Sequence, residues 1–267
     1  MREAPPAEFS SALIACAHRR RSIGDPLYYF TEIGSTNDEA LRLAEAGAPE
    51  GTTVAAAAQT AGRGRLGRSW HSPAGAGLYV SVVIRDPRVI PLLTLAAGVA
   101  LAEGMRAATS LPIEIKWPND LVIEAGLGRR RKLAGILTEA STGREGVQFA
   151  VVGFGINLLP AAYPPDVVDR ATSIAAELGR PIDAGALLAE CLAMLSEWLE
   201  ALRSGDVRTV LERWTMLSPS ATGSRVECDG PEGRLTGVTA GVAPDGALQV
   251  RTGGRVEPVR SGVVRWL

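Results

Sequence analysis

From Val151 to Asn157 the chain reads Val-Val-Gly-Phe-Gly-Ile-Asn, and this alternation constrains the fold more than any other stretch. In an extended strand, residues two apart share a face. Val152, Phe154 and Ile156 therefore point one way, and Gly153, Gly155 and Asn157 the other. The apolar side calls for a core. The glycine side leaves a slot, which either a bound molecule or a closely packed helix can fill.

The surrounding pattern supplies a sheet for this strand. Leu27–Ile33, Thr53–Ala58, Leu78–Arg85, Ile113–Trp117, Leu121–Glu124, Lys132–Glu139 and Val147–Asn157 read as strands, being rich in β-branched and apolar residues. Thr36 and Glu39 make a capping box that opens a helix ended by Gly47. Ile90–Thr109, Asp183–Leu202 and Asp206–Leu217 read as further helices, and Leu187, Leu188, Cys191, Leu192, Leu195, Trp198 and Leu199 make a core stripe on the second of these. Clustered strands with a few interspersed helices predict an α+β fold with a largely antiparallel mixed sheet and helices on one face. After Ser218 the chain turns to short strands with a Pro244-Asp245-Gly246 turn, the pattern of a small SH3-like β-barrel docked on the main body. The expected organisation is an arm over 1–26, a main domain over 27–218 and a small C-terminal domain over 219–267.

Composition removes several classes of function. With 28 Lys and Arg against 29 Asp and Glu, the chain has no overall positive field to hold a polyanion. Any basic site must be local. The apolar stretch Ile90–Ala102 is shorter than the roughly 20 residues that span a bilayer, and reads as a buried helix. The N-terminus lacks the basic start and apolar run of a secretory signal, so a cytoplasmic location is expected, with no membrane partner. Cys16, Cys191 and Cys228 match no ligand spacing and read as reduced and structural, and two histidines do not make a histidine-rich metal site. His18-Arg19-Arg20-Arg21 reads as a solvated basic run.

Three further segments carry chemistry. Gln59–Trp70 holds Gly62, Gly64 and Gly67 among Arg63, Arg65 and Arg68. The glycines let backbone approach a ligand while the guanidinium forks suit phosphate or carboxylate, although Gly/Arg segments also bind single-stranded RNA. Lys116-Trp117-Pro118-Asn119-Asp120 packs a cation, an amide and a carboxylate into one strand end. In Arg131–Glu139, Lys132 opens an otherwise apolar strand that Gly135 interrupts.

Taken in order, Ser35-Thr36-Asn37, Gln59-Thr60-Ala61-Gly62-Arg63-Gly64-Arg65-Leu66-Gly67-Arg68, Lys116–Asp120, Arg131–Leu137 and Gly153–Asn157 resemble the motifs of biotin protein ligases over about residues 27–267. The resemblance implies a class II synthetase-like catalytic domain and an ATP-dependent enzyme that makes biotinyl-AMP and passes biotin to a lysine of a biotin carboxyl carrier protein. It implies a biotin site at Ser35, Thr36, Asn37, Gln59, Gly62, Arg63, Gly64, Arg65, Lys132, Gly135, Gly153 and Gly155. It implies an ATP and adenylate site at Arg63, Arg65, Arg68, Trp70, Lys116, Asn119, Lys132 and Asn157. Lys132 and Arg65 are the candidates at the reacting carboxylate and α-phosphate. Asp120 is a candidate base for the acceptor lysine or else orients Lys116. ATP with Mg2+ and biotin are the implied substrates, with no prosthetic group and no protein-bound metal, and a homodimer is compatible with the family. His71 reads as a packing or rim residue. Only 26 residues precede the first strand, too few for the helix-turn-helix that some members carry, so no sequence-specific DNA binding is expected. A lipoate or octanoate ligase of the same fold is the alternative, and a nonenzymatic RNA-binding module a remote one.

Overall fold

The computed structural model describes residues 2–126, 129–144, 146–230 and 233–267. Eight strands form the main sheet: β1 (Arg2–Glu3), β2 (Leu27–Phe30), β3 (Thr53–Ala56), β4 (Gly77–Ile84), β5 (Glu114–Lys116), β6 (Asp120–Glu124), β7 (Arg130–Gly143) and β8 (Gly146–Asn157). Their spatial order is β1-β2-β3-β4-β8-β7-β6-β5, and every pairing is antiparallel except β2 with β3. The helices are α1 (Ala7–Ala15), α2 (Ala17–Arg20), α3 (Thr36–Glu45), α4 (Leu93–Thr109), α5 (Ile174–Leu178), α6 (Ala184–Arg203) and α7 (Val207–Leu217). A second antiparallel sheet contains β9 (Thr222–Gly230), β10 (Gly233–Val242), β11 (Leu248–Thr252), β12 (Arg255–Val259) and β13 (Val263–Trp266), ordered β12-β11-β10-β9-β13.

The alternation in β8 divides the main sheet as expected. Val152, Phe154 and Ile156 join Leu78, Val80 and Val82 in the large core beneath α4 and α6. On the opposite face, α3 lays Ala40 and Ala44 against Val54, Ala56, Val83 and Val151. Helices therefore flank both faces, but α3 covers only part of its side. The uncovered remainder is where the glycines lie.

Several boundaries differ from the sequence reading for identifiable reasons. The cap of α3 is Ser35, whose side chain accepts from the Asp38 N–H at 3.4 Å, one residue before the expected Thr36. Thr36 is occupied elsewhere: its backbone N–H and hydroxyl both donate to Gln59 Oε1, at 2.8 and 3.1 Å. The helical run Ile90–Thr109 is longer than the apolar stretch Ile90–Ala102 and is long and apolar enough to cross a membrane. In this fold 67% of its most apolar 18-residue window is buried.

The segment 1–26, expected as a partly ordered solvated arm or a short helix, is helical over α1 and α2 and packs onto α6 rather than standing in solvent. Phe9 and Leu13 of α1 are buried in the main core. Arg19 pairs with Glu190 at 2.9 Å and Glu197 at 3.2 Å, and Arg21 pairs with Glu200 at 2.5 Å. Arg20 donates to the carbonyls of Leu13 and Ile23, each at 2.9 Å. Arg19 and Arg21 of the basic run thus meet acidic partners on α6 that lie far away in the sequence. All three cysteines are free and buried.

The small sheet is not separate from the core either, since Val226, Cys228, Leu248, Val250 and Val264 join the cluster that holds α4 and α6. Trp117 Nε1 donates to the Gly246 carbonyl at 3.1 Å, tying the strand-end motif to the turn between β10 and β11.

The crossing of α4 with α6 depends on Gly104. A Cβ there would lie 2.8 Å from Cys191 Cα and 2.9 Å from Cys191 N, which are backbone atoms that cannot swing aside. Gly104→Ala is expected to destabilise the protein by about 1–3 kcal/mol through overpacking, read as a lower midpoint in urea denaturation. An unchanged midpoint would show that the two helices are not held at this spacing.

Candidate active site

Register places the glycines of two strands side by side. Gly135 of β7 pairs directly with Gly155 of β8, and their row continues to Asp120 on β6 and Tyr79 on β4. The next row contains Leu137, Gly153 and Ser81. Residues directly opposite in a ladder project to the same side, so the site face is nearly free of side chains at its centre. It is not bare, however. A Cβ on Gly155 would collide with Trp70 Nε1, and one on Gly135 would lie 3.0 Å from the same indole and 3.1 Å from Lys132 Nζ. A Cβ on Gly153 would collide with Asn37 Oδ1. The glycines admit Trp70 and Asn37 to the sheet surface, and a cavity of about 560 Å3 remains beside them.

One wall of that cavity is the start of α3. Ser81 Oγ donates within a pair of contacts, 2.6 Å to Asn37 Oδ1 and 2.9 Å to Thr36 Oγ1. Gln59 accepts from Thr36 as above, and its Nε2 donates to Ser72 Oγ at 2.9 Å. Buried polar groups are costly unless paired, and here the buried Thr36, Asn37 and Ser81 are held in one network with Gln59, while the buried Ser35 caps α3.

The Gly/Arg segment is an ordered hairpin rather than a loose loop. Trp70 N–H donates to Gly62 O at 2.8 Å, and Gly64 N–H donates to Arg68 O at 2.7 Å. Its tip turns through Leu66 and Gly67, both with positive φ (58° and 71°). Gly62 has no room for a Cβ, which would sit 2.7 Å from Ser72 Oγ. Arg63, expected at the adenylate, points instead to acidic partners: its two terminal nitrogens reach Glu139 at 2.8 and 2.6 Å, and Nη2 reaches Asp38 at 2.6 Å.

The remaining cations converge on the cavity. Lys132 Nζ is 2.6 Å from Asp120 Oδ1 and 5.0 Å from the centre of the Trp70 ring. Asp120, read from sequence as a base or as a partner for Lys116, has Lys132 as its ion-pair partner. Arg65 Nη1 donates to Asn119 Oδ1 at 3.2 Å, while Asn119 Nδ2 donates to Ile136 O at 2.7 Å. Asn119 thus props Arg65 against β7. Burial pulls the Arg65 guanidinium below its ordinary pKa, with Asp120 opposing the shift and Arg68 reinforcing it. Burial likewise lowers Lys116, with repulsion from Lys132 and Arg130 adding to it and Asp120 opposing it. Asn157 donates to Thr172 O at 2.9 Å and so fastens the 158–173 segment. That segment pairs with β7 through Lys132 N–H to Arg170 O at 2.7 Å and Thr172 N–H to Lys132 O at 2.9 Å.

All of the residues expected at the site line this cavity or bound its glycine floor and hairpin wall, Gly62 among the latter. Sequence reasoning missed Ser81 and Glu139. It also missed Tyr163, Asp166 and Arg170 of the segment after β8, and Gly262–Val264 at the start of β13, which close the cavity from two further sides. His71 lines the cavity as well. Among the described residues Trp70 Nε1 is buried without a hydrogen-bond partner.

The profile of the Biotin/lipoate A/B protein ligase family matches residues 29–157. The bifunctional ligase/repressor BirA of Bacillus subtilis is 31% identical over 264 residues, covering 96% of this chain and 78% of that protein. The biotin--[acetyl-CoA-carboxylase] ligase of Mycobacterium tuberculosis is 34% identical over 250 residues, covering 87% of this chain and 86% of that one. The crystal structure of the Aquifex aeolicus biotin protein ligase in complex with biotin and ATP superposes with a TM-score of 0.78 at 28% identity, covering 91% of this chain and 99% of that one. The chain belongs to the biotin/lipoate A/B protein ligase family, on its biotin ligase side.

Because burial disfavours the charged form of Lys116, Lys116→Met should raise the thermal midpoint of the ligand-free protein. The lowered folded pKa also fixes the sign with pH. Between that value and the ordinary 10.5 the unfolded chain binds more protons, so stability attributable to Lys116 rises with pH there. The midpoint advantage of Lys116→Met over the parent should therefore shrink as pH approaches 10.5. A variant less stable than the parent at neutral pH would contradict this.

Proposed function

We propose that the protein activates biotin with ATP to biotinyl-5'-AMP, releasing pyrophosphate, and then transfers biotin to a lysine of a biotin carboxyl carrier protein. The observation that carries this reading is the charge of the cavity. Arg65, Arg68, Lys116, Lys132 and Arg170 line it against two carboxylates, Asp120 and Asp166, and burial disfavours the charged forms of Arg65 and Lys116. Such a site is stabilised by anions, and the first step brings two together: a biotin carboxylate and the α-phosphate of ATP.

In that step a carboxylate oxygen attacks the α-phosphorus in line and the bond to the pyrophosphate oxygen breaks. No enzyme nucleophile is needed. The protein holds the reactants at reacting distance and neutralises charge as it develops. Lys132, oriented by Asp120, serves the carboxylate. Arg65, propped by Asn119, serves the α-phosphate, while Lys116 and Arg68 serve the departing phosphates. Magnesium accompanies ATP as part of the substrate complex, held by phosphate oxygens and water. In the second step the neutral acceptor amine attacks the acyl carbon and AMP leaves. Residues 27–218 would form the catalytic domain and 219–267 an SH3-like domain whose β13 end borders the cavity.

The polar wall favours biotin over lipoate. Hydroxyls and amides of Ser35, Thr36, Asn37 and Gln59 line the cavity, with Ser81 bonded behind Thr36 and Asn37. A ureido ring offers them two N–H donors and a carbonyl, whereas a dithiolane ring offers neither. The discriminating assay is ATP–pyrophosphate exchange. Biotin should support exchange and lipoate should not. Lys132→Ala and Arg65→Ala should each reduce it by about 100-fold or more, the scale of losing one preorganised charge-stabilising donor. Exchange without biotin, or both variants at the parent rate, would refute the reading.

A further inference from the structure

Glu139 closes the Arg131–Glu139 segment and has no role assigned from sequence, yet it joins three of the site's walls. On β7 it sits two residues beyond Leu137 and four beyond Gly135, so all three share the site face. Its carboxylate accepts from Arg63 Nη1 at 2.8 Å and Arg63 Nη2 at 2.6 Å, and from Asn37 Nδ2 at 2.8 Å. Arg63 belongs to the base of the hairpin, and Asn37 to the first turn of α3. A second cavity, of about 320 Å3, lies between the hairpin and β7 with Arg63 and Glu139 both on its wall. The Arg63–Glu139 pair is a strut across that gap.

An ionised carboxylate only accepts hydrogen bonds, and this fixes which way the Asn37 amide faces. Its nitrogen is committed to Glu139 and, at 3.3 Å, to Leu137 O. Its oxygen is thereby turned to Ser81 and the position above Gly153. We propose that Glu139 is a positioning residue of the biotin site, holding the α3 start and the Gly62–Trp70 hairpin against β7 so that their polar groups face the ligand in one arrangement. This rests on the biotin ligase reading above. Glu139 bonds to Arg63 and Asn37, while Arg65 is held separately by Asn119 and Lys132 by Asp120, so loss of Glu139 should fall on vitamin binding more than on the phosphoryl chemistry.

The test is steady-state adenylation by the full chain, with biotin and ATP varied separately, for the parent, Glu139→Gln, Arg63→Gln and the double variant. A glutamine keeps the size of Glu139 but offers an N–H2 where one of the three donors now points. Losing a paired, partly shielded charge contact should raise the KM for biotin about tenfold. The KM for ATP and kcat should stay within about twofold of the parent. The double variant should be no worse than the worse single one, because both cut the same strut. A merely structural role predicts instead that kcat, both KM values and the thermal midpoint worsen together, and that result overturns the proposal. So does a parent-like biotin KM in Glu139→Gln. Should Glu139→Gln fold poorly, Arg63→Gln carries the same split in KM. A parent that shows no biotin-dependent exchange overturns the functional reading and this proposal with it. An active parent with an indifferent Glu139→Gln overturns only the positioning role.

Discussion

The close approach that Gly135 and Gly155 permit at the middle of the main sheet is the constraint on which the rest of the site depends. Any larger side chain in this cross-strand pair would stand where the Trp70 indole and the Lys132 ammonium now meet the sheet. Because the opposite face of the same strands is packed under α4 and α6, the sheet cannot bend away to compensate. A rigid apolar core on one side thus supports a shallow, side-chain-poor surface on the other. The polar start of α3, the hairpin and the segment after β8 are arranged around it.

Charge is distributed with the same economy. Arg63 is spent on Glu139 and Asp38, and Lys132 is paired with Asp120. Among the described residues Arg65 hydrogen-bonds only to an amide, and Lys116 is half-buried near other cations. Unrelieved positive charge in a partly dehydrated cavity costs stability in the free protein, and it is the feature that favours two anions there together. The unpartnered indole N–H of Trp70 belongs to the same pattern: a polar group left unsatisfied beside the place where a ligand would lie.

Much of this was legible in the chain because it is written in local periods. The two-residue alternation of Val151–Asn157 identified the site face, and the strands on either side were recognised within a few residues of their observed ends. What escaped was whatever depends on partners distant in sequence. Ser81 looked like one polar residue inside an apolar strand, and only the pairing of β4 with β8 brings it beneath Asn37. Glu139 read as a strand end until Arg63 folded back to it. The basic run at Arg19–Arg21 looked solvated because its acidic partners sit on α6. The segment 158–173 and the start of β13 carry no periodic signal at all, and they reach the site through tertiary docking alone.

The central claim is that biotin binds on the glycine-floored face beneath the hairpin. Amide hydrogen exchange with and without biotin tests it most directly. The account predicts slowed exchange at residues 35–38, 59–70 and 132–137, where the ligand would seal the walls, with β10–β12 unchanged. Protection confined to the small C-terminal sheet, or no protection at saturating biotin, would contradict it.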